Sequence, residues 1–131
     1  MAERTGAILM FSGDAEAAFG FYASLFDDAA CKIIARYGPE AGEMEGKVML
    51  AELKIAGQLF LATDSTVKHD FDFTPAISLY VECATKAEFE RIFEALSRGG
   101  EIRMAPSDYG FSQQFGWCTD RFGVSWQVNT P

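Results

Sequence analysis

The chain has 131 residues, enough for a buried core in one domain without disulfide or metal staples. Hydrophobic residues make up 49% and charged residues 23%, a globular balance that excludes a disordered or fibrous chain. The net charge of -8 argues against a nucleic-acid partner, which needs a basic face, and no apolar run reaches the length of a membrane span.

The N-terminus does not read as a signal peptide, because Glu3 and Gly6 interrupt it and Arg4 is its only basic residue. Cys31, Cys83 and Cys118 are odd in number and widely spaced, a pattern of reduced thiols in a cytoplasmic protein. The GxSxG, Walker and GxGxxG motifs are absent, so the sequence offers no common hydrolase, phosphate-loop or dinucleotide signature.

Residues 7–11 form a short apolar run that predicts a strand, and Ser12-Gly13-Asp14 follows as a helix-start signal. Ala15, Ala18, Phe19, Tyr22, Leu25 and Phe26 then fall on one helical face. Residues 31–37 predict a strand, and the Gly-, Pro- and Glu-rich residues 38–46 a mobile loop. Residues 48–55 and 59–63 predict two strands joined by a tight turn at Ala56-Gly57. Residues 64–73 are polar and read as a linker.

The second half predicts a strand over 76–83. Thr85 and Glu88 then fit a capping box, ahead of a helix with Phe89, Ile92, Phe93 and Leu96 on its buried stripe. Gly99-Gly100 ends that helix. Strands are expected near 101–104, 112–119 and 125–128. The order strand, helix, three strands therefore occurs twice, which predicts an α+β fold of two βαβββ modules, residues 6–66 and 74–131, within one domain.

Several residues carry two readings. Glu52 is either a cavity carboxylate acting as a general base or part of a solvated strand face beside Lys54. His69, the only histidine, reads mainly as a solvated loop residue, with Asp70 and Asp72 as its potential partners. Trp126 alternates with Gln127, so one faces a helix and the other a cavity. Trp117 suits either a core or an aromatic wall for a flat ligand. Ser78 and Tyr80 share a face by the period of two, where they line a groove or fill space. The cysteines read as core, since no cluster of positive charge activates a thiolate.

Residues 11–19, 21–26, 48–53 with Gly57-Gln58, 73–79 and 120–127 together resemble the PhnB-like family, labelled as a 3-demethylubiquinone-9 3-methyltransferase domain. That family lies within the vicinal oxygen chelate superfamily of glyoxalases, bleomycin-resistance proteins and dioxygenases. The chain has no Gly-rich strand-to-helix loop of the kind a Rossmann-type methyltransferase offers to S-adenosylmethionine. The resemblance implies a U-shaped mixed sheet around a cavity, helices on the outer face, and a homodimer.

It also places the superfamily's metal-ligand positions near Ala7, Phe60, Ala76 and Gln127. Ala and Phe cannot ligate, and a catalytic divalent metal needs about three protein donors, so neither a metal nor another cofactor is expected. Leu50 stands where such sequences often carry a histidine. The expected function is a cytoplasmic, metal-free, small-molecule binding protein, with Phe60, Ser78, Tyr80, Trp117 and Gln127 against the ligand. One alternative is an enzyme on a small carbonyl or aromatic substrate, with Glu52 as base and Gln127 or Tyr80 orienting an oxygen. Another is a silent dimeric scaffold whose groove Phe60 fills. Neither nucleic acid nor membrane is an expected partner.

Overall fold

The computed structural model describes residues 1–131. The chain divides into two compact units, Met1–His69 and Asp70–Pro131. The first unit runs β1 (Ala7–Phe11), α1 (Ala15–Leu25), β2 (Ala29–Arg36), β3 (Val48–Ile55) and β4 (Gln58–Asp64). The second repeats the order as β5 (Leu79–Glu82), α2 (Lys86–Ser97), β6 (Glu101–Ser107), β7 (Gln114–Thr119) and β8 (Ser125–Thr130). The fold is α+β, built of two βαβββ modules.

Each module is a four-stranded mixed sheet. The first has the order β1-β4-β3-β2 and the second β5-β8-β7-β6. In both, the first strand pairs parallel to the last, and the other pairs are antiparallel. A parallel neighbour needs a crossover, which the intervening helix and strands supply.

One face of each sheet is buried under its helix. In the first unit Leu9, Phe11, Ala51, Leu53 and Ala62 lie on that face, and the buried stripe of α1 is Ala15, Ala18, Phe19, Tyr22 and Leu25. In the second, Cys118, Trp126 and Val128 take Phe89, Ile92, Phe93 and Leu96 of α2. Gly116 lets the helix approach: a Cβ there would stand 2.5 Å from the Phe93 ring. The helical spacing of the apolar residues located both helices, because burying that stripe is what stabilises them.

The structure corrects the sequence at four segments. Residues 38–46, read as a mobile loop, contain two short 3-10 turns within Pro39–Met44, broken by a kink at Gly42. The strand expected over 76–83 is confined to Leu79–Glu82, because Pro75 and Ala76 form a turn and Ile77 is exposed. Proline lacks the N–H that a ladder needs. The strand near 101–104 runs on to Ser107, with register shifts between Ile102 and Met104 and between Met104 and Ser107. Asp64, assigned to a polar linker, ends β4 and is 1% exposed.

Candidate functional site

Pairing register sorts the side chains by face. In the second unit Tyr80 pairs with Gln127, and Gln127 with Trp117. Paired residues project to the same side of a sheet, so these three share the face away from α2. Ser78, Ser125, Thr119, Phe115 and Asn129 join them by the period of two. Trp126, one residue out of step, is 1% exposed and packs in the core under α2.

The centre of this open face is a hydrogen-bonded cluster. The Trp117 indole Nε1 donates to Ser125 Oγ at 2.8 Å. Ser78 Oγ and Ser125 Oγ lie 2.7 Å apart. Gln127 Nε2 donates to Ser78 Oγ at 3.1 Å. One hydroxyl proton bridges the two serines and the other is left to donate elsewhere, while Gln127 Oε1 is left to accept. Four side chains from three chain segments are thereby fixed in orientation.

The two ends of the face carry different charged groups, Arg103 with Glu101 3.8 Å from it at one and Glu82 at the other. At one end Arg103 Nε donates to Thr119 Oγ1 at 2.7 Å, which lays the guanidinium beside the Thr119–Ser125 pair. At the other, Tyr80 OH donates to Glu82 Oε1 at 3.1 Å. Partial desolvation first, then Glu82, pushes the Tyr80 phenol above its ordinary pKa. Asn129 Oδ1, beside Glu82 in register, is buried with no hydrogen-bond partner.

The first unit arranges its predicted residues differently. Glu52 projects from β3 on the face away from α1, with Lys32 and Leu61 as cross-strand neighbours. Its carboxylate meets Arg4 at 3.0 Å and Lys54 at 3.9 Å. Two cations beside one carboxylate make a structural ion-pair cluster.

Phe60 pairs with Leu53 and with Ala7, so both Phe60 and Ala7 lie on the α1 side of the sheet. This corrects their assignment to a ligand-facing position. The open-face positions of those strands are Ile8 and Leu61. Ala76 sits in the turn before β5 rather than in a strand. Among the four expected metal-ligand positions only Gln127 faces away from its helix. No three His, Cys, Asp or Glu side chains converge anywhere in the chain, so its donor set does not fit a divalent catalytic metal. His69 is exposed, with Nε2 2.9 Å from Ser65 Oγ.

Ser78, Tyr80, Trp117 and Gln127 are thus brought together. Glu52 and Phe60 stand in the other unit, on opposite faces of its sheet. The sequence reading missed Ser125, the hub of the cluster, although its spacing of two from Gln127 on one strand was a usable signal. It also missed Arg103 and Glu82, whose roles depend on irregular pairing and on a cross-strand end that periodicity does not reveal.

The chain matches the family model described as 3-demethylubiquinone-9 3-methyltransferase over residues 3–129. A solved PhnB protein from Bacillus cereus is 44% identical with a TM-score of 0.93, covering 98% of this chain and 100% of that one. Protein YjdN of Escherichia coli is 29% identical over 79 residues, 60% of this chain and 53% of that protein. The match therefore spans about half the length of that relative. The fosfomycin resistance protein FosX from Mesorhizobium loti, 14% identical with a TM-score of 0.61 over 100% of this chain and 94% of that one, shares the fold.

Proposed function

The chain belongs to the 3-demethylubiquinone-9 3-methyltransferase family, the PhnB-like branch of the glyoxalase and bleomycin-resistance superfamily, and from that premise we propose that it binds a small organic molecule on the open face of its second sheet. The observation that carries the reading is the Ser78–Ser125–Trp117–Gln127 cluster. Interlocked polar groups flanked by aromatic rings orient a flat ligand by hydrogen bonds at its edge and stacking on its face. No step through a metal is part of this reading, because the donor set does not fit one.

The base role considered for Glu52 gains no support from its setting. Arg4 and Lys54 already engage the carboxylate in ion pairs, which occupy the oxygens a base would need to take up a proton. The proposal includes a homodimer, for which exposed Ile8, Ile77 and Phe111 are available apolar surface. It also includes a cytoplasmic site of action, consistent with three unpaired cysteines. No helix is long and apolar enough to cross a membrane.

Titration calorimetry with a panel of flat aromatic molecules tests the binding reading. Saturable binding is expected, lost by at least about tenfold in Trp117→Ala and in Ser125→Ala, each checked for folding by circular dichroism. EDTA should leave the affinity unchanged. Binding that is indifferent to both substitutions would move the site elsewhere, and a chelator-sensitive affinity would restore the metal. Sedimentation velocity reads the dimer.

A further inference from the structure

The ligand class can be narrowed from the polarity of the open face, an inference that rests on the binding reading above. We propose that this face recognises an elongated aromatic zwitterion, its anionic end on Arg103 and its cationic end on Glu82.

The strand geometry sets the layout. Thr119 pairs with Ser125, Trp117 with Gln127 and Phe115 with Asn129, while Tyr80 and Glu82 pair with Gln127 and Asn129. From Ser125 to Asn129 is four residues of strand, about 13 Å at roughly 3.3 Å per residue. The order along that line is cation, hydroxyl pair and indole, phenol and amide, then anion.

Arg103 is held in place but not used up. Its Nε donates to Thr119, its side chain is 30% exposed, and its ion pair with the exposed Glu101 carboxylate is a 3.8 Å contact, too long for a hydrogen bond and weak in solvent. The remaining guanidinium N–H groups are therefore open to a carboxylate or phosphonate, which a guanidinium binds through two parallel donors.

At the opposite end Glu82 receives one hydrogen bond, on Oε1 from Tyr80. Its charge stands outside the salt bridges, which involve Glu16, Glu52, Glu94 and Glu101. Asn129 Oδ1 adds an unsatisfied acceptor at the same end. The acceptor capacity left over at that end calls for an ammonium or amidinium group. Between the ends, Trp117 and Tyr80 offer aromatic surface, and Gln127 Oε1 and one serine hydroxyl offer one acceptor and one donor. A ligand with a single charge would engage either the open guanidinium donors of Arg103 or the unpaired Glu82 carboxylate but not both, so the two ends together favour both charges.

Calorimetry with four probes on one ring system decides the matter. They are 4′-(aminomethyl)biphenyl-4-carboxylate, its analogue with methyl in place of aminomethyl, its analogue with methyl in place of carboxylate, and a neutral 4′-methylbiphenyl-4-methanol. The expected result is that the zwitterion binds at least about tenfold tighter than any other. Arg103→Gln should weaken the two carboxylate probes and leave the cationic one unchanged. Glu82→Gln should weaken the two amine probes and leave the anionic one unchanged. Equal binding of the neutral probe and the zwitterion would overturn the zwitterion assignment while leaving the binding reading intact. Selective loss in neither variant would do the same. No binding by any of the four would overturn both.

Discussion

The two modules share one topology but start their helices by different means. α2 is capped from its own sequence: Thr85 Oγ1 accepts from Glu88 N at 3.1 Å, and Glu88 Oε1 accepts from Ala84 N at 3.2 Å. α1 has Asp14 at the same position, yet Asp14 makes no side-chain cap bond. Its first turn is held instead by Asp64 at the end of β4. Asp64 Oδ1 accepts from Gly13 N at 2.9 Å and from Ala15 N at 3.0 Å, and Oδ2 accepts from Val48 N at 3.1 Å. One helix start is therefore local, and the other exists only once the sheet is assembled.

Asp120 is the second module's own buried carboxylate, and it too accepts three N–H groups. They are those of Phe122 at 2.8 Å, Val124 at 3.0 Å and the Trp126 indole at 2.9 Å. All three donors lie within six residues of it. The same chemistry thus ties a turn locally in one module and joins a helix to two strands in the other.

The largest expected effect breaks this contrast at Asp64. Asp64→Ala leaves three N–H groups without their charged acceptor in a buried site, at a cost of about 3 kcal/mol or more. Asp64→Asn keeps one acceptor oxygen and should lose less. Thr85→Ala removes a single exposed cap bond and should cost about 1 kcal/mol. Urea unfolding of the three variants measures the order. A Thr85→Ala penalty equal to that of Asp64→Ala would show that the two helix starts are equivalent after all.

The modules differ again in their thiols. Cys31 of the first module is exposed, whereas Cys83 and Cys118 of the second are buried. Burial, chiefly, pushes Cys83 up to about 11 and Cys118 up to about 12 from an ordinary 9.0. In the unfolded chain these thiols release their protons near pH 9, while in the fold they keep them. The unfolded state then binds fewer protons, so stability falls as the pH rises through that window and is unaffected below it. Wild-type protein should lose stability steeply above pH 9, and the Cys83→Ala/Cys118→Ala variant should lose it less steeply. Parallel curves for the two would remove the thiols from the account. At neutral pH, iodoacetamide should label Cys31 alone in the folded protein.

These contrasts also mark what the sequence could disclose. Both helices, their buried stripes and the duplicated order were legible, because apolar spacing of three and four residues reports a face directly. The Thr85–Glu88 box was legible because its partners are three residues apart. Asp64 was not: its acceptor role spans 16, 49 and 51 residues, and in sequence it opens a polar stretch. The site divided in the same way. Ser78, Tyr80, Trp117 and Gln127 could be placed on one face by the period of two, provided each strand was in phase. Phe60 could not, because its face depends on register against β1 and β3 rather than on its own neighbours. A pattern of period two separates the faces of a strand but does not say which one the helix covers.

The smallest expected effect concerns the hairpins between the last two strands of each module. In β7–β8 the left-handed residue is Gly123, at φ 91°, and glycine takes that conformation freely. In β3–β4 both turn residues are left-handed, Ala56 at φ 49° and Gly57 at φ 83°, the pattern of a two-residue type I′ turn. Ala56 is the only non-glycine residue of the chain with positive φ. Its Cβ crowds the following carbonyl in that region, and an exposed alanine has no packing that offsets the strain. Asparagine tolerates the conformation and, before glycine, is the preferred first residue of this turn. Ala56→Asn should therefore raise stability by about 0.5–1 kcal/mol, read as a higher urea midpoint at unchanged slope. The Ala56 N–H already donates to Asp28 O at 2.9 Å, and the substitution leaves that bond in place. A lower midpoint would mean that strain at this turn is not what separates the two hairpins.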